Sequence, residues 1–396
     1  MRESTSLYST SARDATSESS AKERTYFPNL DGLRAIGAFI VLFSHFYFMK
    51  RMWGIQVDQW FPIPGKVGVA LFFSLSGFLI TSLLFSEQRK TGTITLKAFY
   101  IRRIFRIWPL YYFVVLLGLL VFNQVSFLKI PVLSDRMIEQ TTWLSVLNVL
   151  LIIPNFTHFY IPYTDQRWSI IVEEMFYFFQ PALVRFFTNK YTLIFLFCCI
   201  VVSAELVPAI MRMFGLGKYA YTGFMGSVVG QLGYLGCIAM GCIFSALYKK
   251  KEAFCKKYLF IRRTELLVIG VLLAFIFISY FTHNEEFFDL RLYSLLFAIV
   301  VLNGALNPST IYKLEIPWLK FLGKISYGIY MYHMFCLGIG FIVARKLTSV
   351  SWLQNGIYFV LSVSLTILVS WLSFRYFESY FLKFNKKYRV SNRKVK

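Results

Sequence analysis

The chain has 396 residues, of which 57% are hydrophobic and only 16% charged, and its mean hydropathy is +0.56. These values exclude a soluble globular protein and are typical of polytopic helical membrane proteins. The formal net charge of +22 at pH 7 would also suit a nucleic-acid-binding protein. The basic residues, however, form short clusters between apolar runs, as in the cytoplasmic loops of membrane proteins, so we expect no nucleic-acid partner.

A polar tail precedes the apolar part of the chain. Residues 1–25 are rich in serine and threonine, so we predict a disordered cytoplasmic tail that lacks the apolar core of a cleavable signal peptide. The apolar runs that follow are 33–50, 67–86, 107–123, 142–153, 168–187, 191–211, 224–248, 265–282, 287–306, 321–345 and 353–374.

The length of one run decides the predicted number of spans. The run 142–153 has about 12 residues, fewer than the roughly 17–25 that a helix needs to cross a bilayer, so we expect a re-entrant or interfacial segment there. The sequence therefore predicts an all-α polytopic membrane helix bundle with about ten transmembrane helices.

Basic clusters indicate the orientation of these spans. The strongest clusters are 102–106, 249–263 and 383–396, and all three face the cytoplasm only if ten runs cross the membrane. Both termini are then cytoplasmic, and a transmembrane domain spans residues 26–382, followed by a basic cytoplasmic tail at 383–396. The segments 51–66, 124–167 and 283–286 are expected outside.

The first apolar run carries the most informative residues, because it places Asp31, Arg34 and His45 on a helix otherwise built for lipid. An ionisable side chain at the centre of a span costs about 2.5–3.5 kcal/mol to insert and usually marks a function. His45 lies about 16 Å along the helix from Arg34. An imidazole can take a proton from a hydroxyl near neutral pH, although a histidine that only packs is the alternative.

Three more ionisable residues are expected near the depth of His45. At about 1.5 Å per residue, Glu173, Glu174 and His333 reach a similar layer of the membrane. The glutamates point about 100° apart on a helix, so at most one can face a given partner. A glutamate could orient the histidine or form an interhelical ion pair, and His333 could support the site, contact substrate or act in catalysis.

Arg103 and Arg106 share one helical face at the predicted cytoplasmic start of the third span. Positive-inside anchoring would explain them, but paired guanidinium groups also suit phosphate recognition by bidentate hydrogen bonds. No Walker-type phosphate loop is present in the sequence. The six cysteines lack the paired spacing of a metal site, so no metal is expected.

Five motifs together resemble, in order along the chain, those of the acyltransferase-3 family of integral membrane acyltransferases, many of which O-acetylate bacterial cell-surface polysaccharides. They are an arginine, ten residues and a histidine; a second-helix motif; a paired-arginine motif; a tryptophan–serine and double-glutamate motif; and a late motif that ends in histidine. These motifs occupy residues 34–45, 68–80, 103–106, 168–177 and 322–333.

The resemblance, which covers about residues 26–382, implies roles for several of these side chains. His45 would be the catalytic base and Arg34 its essential companion, while Arg103 and Arg106 would bind the acyl donor, usually acetyl-coenzyme A. In this family a polar residue often follows the double glutamate, where this chain has Met175.

We therefore expect a membrane O-acyltransferase in the plasma membrane, which would be the bacterial inner membrane. It would move an acyl group, by resemblance acetyl, from a cytosolic coenzyme A thioester to a hydroxyl of a cell-surface or lipid-linked carbohydrate. Direct transfer and a covalent intermediate both remain open. The alternative is a transporter or flippase of a lipid-linked glycan, in which the buried histidines and glutamates would relay protons without consuming thioester.

Overall fold

A computed structural model describes residues 26–55, 64–122, 124–128, 147, 149–152, 161, 163–216, 223–282 and 290–388. Every regular element in these ranges is helical. The predicted tail 1–25, most of the run 142–153, and residues His158 and His283 lie outside the described residues. The same is true of residues 389–396 in the predicted basic tail.

The helices follow the apolar runs of the sequence. Their bounds are α1 Leu30–Met52, α2 Gly65–Thr91, α3 Leu96–Leu117, α4 Arg167–Phe186, α5 Lys190–Met213, α6 Gly223–Lys250, α7 Arg262–Thr282, α8 Leu290–Leu306, α9 Pro317–Lys324, α10 Ser326–Leu347, α11 Ser351–Leu372 and α12 Ser379–Phe384. Wider π-helical turns extend α3 to Phe122 and join α11 to α12.

In the described part of the chain, eight helices are long and apolar enough to cross a membrane. They are α1, α2, α3, α5, α6, α7, α10 and α11. Of the other two predicted spans, α4 carries Arg167, Glu173, Glu174 and Arg185, and α8 has only 17 residues. The prediction of an all-α membrane helix bundle is confirmed.

Two predicted boundaries are wrong. The run 321–345 is not one helix, because α9 ends at Lys324 and α10 begins at Ser326. At this break the backbone of α1 comes so close that a Cβ atom on Gly323 would lie 1.9 Å from the carbonyl oxygen of Asp31. The third helix begins at Leu96 rather than near residue 107, so Arg103 and Arg106 lie about two turns or more inside it.

The inner helices of the bundle are α2 and α10, whose most apolar segments are 72% and 78% buried, against 22% for α5, α7 and α11. Glycine lets α2 and α6 touch backbone to backbone. A Cβ on Gly77 would lie 2.0 Å from the carbonyl oxygen of Ile238, and one on Gly241 would lie 2.2 Å from that of Ser74. Because only glycine fits such contacts, these two positions hold α2 against α6.

The start of α1 is fixed by Asn29, which is buried and has a φ of 61°. Its side-chain amide donates to the carbonyl of Gly304 at 2.9 Å and accepts from the backbone N–H of Leu314 at 2.7 Å. Asparagine tolerates this left-handed conformation better than most residues. Asn29 therefore sets the position from which α1 carries Arg34 and His45 into the bundle.

Glu315, in the loop between α8 and α9, reinforces this anchor. Its carboxylate accepts hydrogen bonds from the backbone N–H of Asn29 at 2.8 Å, from Lys320 at 2.8 Å and from the hydroxyl of Tyr26 at 2.5 Å. Burial alone would raise the pKa of Glu315, but the hydrogen bonds from Lys320, Tyr26 and Asn29 outweigh it and hold this pKa below its ordinary value.

Candidate functional site

Two histidines meet where α1 packs against α10. The ring centroids of His45 and His333 lie 4.9 Å apart, with the ring planes at 68°. His333 is fully buried, whereas His45 is half-buried and reaches a cavity. The structure thus brings together two site residues that the sequence could place only at a similar depth.

Backbone carbonyls set the orientation of both rings. The Nδ1 atom of His45 lies 2.7 Å from the carbonyl oxygen of Val41, and that of His333 lies 2.7 Å from the carbonyl oxygen of Tyr330. A carbonyl oxygen can only accept, so Nδ1 carries a proton in each ring, and in the neutral form of the ring Nε2 has the free lone pair. In the described part of the chain, Nε2 of His333 has no hydrogen-bond partner.

Close packing keeps His45 in place. The Ser44 hydroxyl donates to the Val41 carbonyl at 2.8 Å and lies 3.2 Å from Nδ1 of His45. The first residue of α2, Gly65, faces them: a Cβ there would lie 2.5 Å from the Ser44 hydroxyl oxygen and 3.3 Å from Cε1 of His45. The absence of a side chain at Gly65 therefore makes room for the imidazole.

The two glutamates face different neighbours, in keeping with their predicted divergence. Glu173 accepts hydrogen bonds from Ser76 at 3.0 Å and Tyr177 at 3.1 Å, while Glu174 accepts from the indole of Trp108 at 3.1 Å. Neither glutamate forms an ion pair with a basic side chain among the described residues. Within the described part of the chain, Glu173 and Glu174 therefore do not form the interhelical ion pair that was the alternative prediction.

Among the described residues, no carboxylate accepts a hydrogen bond from either imidazole, whereas the sequence suggested that Glu173 or Glu174 could orient His45. The reason is local. The helix-backbone carbonyls of Val41 and Tyr330 already take the Nδ1 protons, and Glu173 lies in a different cavity from His45.

One cavity, here named the arginine cavity, gathers the three arginines singled out from the sequence. Arg34, Arg103 and Arg106 line it together with Glu173 and Tyr177. The guanidinium of Arg103 lies over the ring of Tyr177 at 4.8 Å, a cation–π geometry. Arg106 is exposed, so this cavity presents positive charge to solvent.

Arg34 belongs to the arginine cavity and not to the surroundings of His45. Its Nη1 atom donates to Asp31 at 2.8 Å in an ion pair one turn along α1. The two residues of the opening motif thus face two different cavities from one helix.

The second cavity, here named the histidine cavity, has a volume of about 540 Å³. Aromatic rings and polar groups line it beside His45. The ring centroids of Trp168 and Tyr234 lie 4.6 Å apart, and Asp165 and Gln166 contribute polar atoms. Two residues, Val69 and Tyr330, line both cavities and so form the wall between them.

Comparison with known proteins decides the family. The chain matches the acyltransferase domain family over residues 27–375. It belongs to this acyltransferase family. The enzyme class and the family predicted from the five motifs are confirmed, and the protein is a membrane acyltransferase.

The acyltransferase has relatives in Staphylococcus aureus. A provisionally named O-acetyltransferase of strain COL is 29% identical over 386 residues, which cover 91% of this chain and 58% of the relative. The O-acetyltransferase OatA of strain NCTC 8325 is 28% identical over 370 residues, which cover 89% of this chain and 57% of OatA. The chain thus spans less than two thirds of the relatives' length. No solved structure matches it significantly.

The candidate site includes residues that sequence reasoning missed. The Tyr330 hydroxyl lies 2.5 Å from that of Ser169 and donates to the Gln166 carbonyl at 3.3 Å. The Gln166 amide in turn donates to the carbonyl of Met331 at 2.8 Å. Tyr330 could have been found, since it lies three residues before His333 on the same helical face. Gln166, in the turn before α4, left no comparable signal.

Proposed function

We propose that this acyltransferase moves an acetyl group from a coenzyme A thioester to a hydroxyl group of a cell-surface or lipid-linked carbohydrate. One observation carries the proposal: a cavity with three arginines and a cavity with a histidine share a single wall, formed by Val69 and Tyr330. A polyanionic donor and a hydroxyl acceptor could therefore approach that wall from opposite sides.

The arginine cavity suits the donor. Coenzyme A carries several phosphate groups, and guanidinium groups bind phosphate by paired, charge-assisted hydrogen bonds. Exposed Arg106 would meet the phosphates first, with Arg34 and Arg103 farther from solvent. Glu173, held by Ser76 and Tyr177, lies beside these arginines in the same cavity.

The histidine cavity suits a carbohydrate acceptor. Its volume of about 540 Å³ falls within the usual range of small-molecule sites, which is about 300–1,000 Å³. The rings of Trp168 and Tyr234 offer flat apolar faces, and Asp165 and Gln166 offer groups that can accept or donate hydrogen bonds.

The proposed reaction starts at His45. Its Nε2 takes the proton of the acceptor hydroxyl as the oxygen attacks the thioester carbonyl carbon. The new carbon–oxygen bond forms, the carbon–sulfur bond breaks, and the proton passes from His45 to the leaving thiolate. The Val41 carbonyl holds the ring in the tautomer that this step needs. His333, whose ring centroid lies 4.9 Å from that of His45, supports the position of His45.

The relatives and the charge pattern support the remaining parts of the proposal. The Staphylococcus aureus relatives are named O-acetyltransferases, which favours an oxygen acceptor and an acetyl donor. The basic clusters favour cytoplasmic termini in a plasma membrane, here the bacterial inner membrane, with the arginine cavity open to cytosolic donor.

The test uses membrane vesicles that contain the protein, supplied with acetyl-coenzyme A labelled in the acetyl group. We expect free thiol to appear together with label in alkali-labile esters of the glycan fraction, and both signals to fall in His45→Ala. A glycan transporter would release no thiol, and that result would reject the proposal.

A further inference from the structure

The wall between the two cavities consists of one small and one large side chain. Val69 on α2 is 5% exposed and Tyr330 on α10 is 7% exposed. Phe72, one turn from Val69, packs edge-on against the Tyr330 ring, with centroids 5.7 Å apart. Because both cavities end at these apolar surfaces, a group that passes from one cavity to the other must contact them.

The aromatic part of the wall is held from both sides. The Tyr330 hydroxyl is bound to Ser169, which lines the arginine cavity, and to the carbonyl of Gln166, which lines the histidine cavity. The Tyr330 carbonyl also accepts the Nδ1 proton of His333. Swinging the ring aside would break these bonds inside a buried region, so the wall is rigid.

We propose that Val69 and Tyr330 limit the length of the acyl group that the enzyme transfers. This inference rests on the proposed function. With the donor phosphates in the arginine cavity and the acceptor beside His45, the reacting carbonyl lies at the wall. The methyl group of an acetyl donor then packs against Val69 and the Tyr330 ring, and each further carbon of a longer acyl chain collides with them.

The first test removes volume at the smaller residue. Vesicles with Val69→Ala are offered equal concentrations of acetyl- and propionyl-coenzyme A, and the acetate and propionate released from alkali-labile esters are measured. The ratio of propionate to acetate equals the ratio of the kcat/KM values for the two donors, and it is independent of the amount of active enzyme. We expect the propionyl-to-acetyl ratio to rise about 10-fold or more, the usual effect of one methylene in an apolar pocket.

A second variant tests the same prediction independently, and a matched control tests whether the effect is specific to the wall. Tyr330→Leu opens the wall from the other helix and should raise the same ratio, even if its overall rate falls. Val67→Ala removes the same two methyl groups from α2 at a position that is 1% exposed and packs in another hydrophobic cluster, with Leu71 and Leu75. It should leave the ratio unchanged.

The outcomes separate this inference from the proposed function. A ratio within about 2-fold of the parent in both Val69→Ala and Tyr330→Leu would overturn the length limit, while acetyl transfer by the parent would still support the function. A parent enzyme that prefers propionyl donor, or an equal rise in Val67→Ala, would also overturn it. A parent that transfers neither group would reject the function and the length limit together.

Discussion

The rings of His45 and His333 lie 4.9 Å apart, and each donates its Nδ1 proton to a carbonyl of its own helix. In its neutral form each ring therefore has Nε2 as the proton acceptor, and among the described residues no carboxylate holds Nδ1. In the proposed reaction the two histidines act as one unit, in which His45 faces the histidine cavity and His333 packs behind it.

The histidine pair gives the first prediction. His45→Ala should lower acyl transfer by about 10²–10⁴-fold, the usual contribution of general acid–base catalysis, and His333→Ala should lower it less. The effects of neighbours that act as a unit are not additive. The fold reduction in the rate of the double variant should therefore not exceed the product of the two single fold reductions. The measurement is the initial rate of thiol release at matched protein levels. Near-normal transfer by a well-folded His45→Ala would exclude His45 as the base.

The arginine cavity gives the second prediction. Arg103→Lys and Arg106→Lys should raise the apparent KM for acetyl-coenzyme A, because lysine keeps the charge but lacks the planar fork. Arg102→Lys is the matched control, since Arg102 pairs with Glu87 at 3.0 Å and should leave the KM unchanged. Initial rates against donor concentration provide the values. If all three variants have the same KM as the parent, Arg103 and Arg106 only anchor the helix at the membrane surface.

The third prediction concerns topology, which the charge clusters suggest. A reporter after Lys396 and one inserted near Glu252 should both be cytoplasmic, whereas one near Asp135 should be external. Enzyme reporters that are active on only one side of the membrane make this measurement. A cytoplasmic signal near Asp135 would contradict the orientation of the ten predicted spans.

The fourth prediction concerns the start of α1. Asn29→Ala should lower the thermal stability of the detergent-solubilised protein, because it removes two buried hydrogen bonds and strains the positive φ. Asn29→Gly loses the same bonds but tolerates this φ, so it should be less harmful. The order of the two melting temperatures is the test: an Ala variant at least as stable as the Gly variant would show that strain at this position is unimportant.

The fifth prediction is a pH dependence at Glu315. Its hydrogen bonds hold the carboxyl pKa below the ordinary value, so the stabilisation is present above that ordinary value and is lost as the pH falls through the folded-state pKa. The parent should therefore lose more stability than Glu315→Gln when the pH is lowered through the carboxylate range. Melting temperatures of both proteins across that range provide the comparison, and parallel curves would refute the prediction.

Sequence reasoning located most of the helices and placed the two histidines at a similar level, because apolar length and the rise per residue depend only on local chain geometry. It could not foresee how the helices converge, which depends on the fit of side chains between them. The depths predicted from the sequence placed Glu173 near the level of His45. In the structure α4 packs against α2, and Glu173 faces Ser76 instead. Likewise, counting along α1 could not show that Arg34 and His45 face separate cavities.

The wall residues illustrate the same limit. Val69 is an ordinary apolar residue in an apolar run, and nothing in its sequence surroundings distinguishes it from Val67. Its importance arises from the side of α2 on which it lies and from the approach of Tyr330 on α10. The catalytic and donor-binding roles of the predicted residues stay predictions.

The backbone contact of α2 with α6 at Gly77 and Gly241 has a mechanical consequence. Where backbones touch, no layer of side chains remains to absorb a sliding movement, so the two helices must shift as one rigid body. Val69 and Ser76, which are carried by α2, share this rigidity. Any breathing motion that admits a bulky donor must therefore come from α3, which carries Arg103 and Arg106 at the arginine cavity, and labels placed on α3 are the ones that should report it.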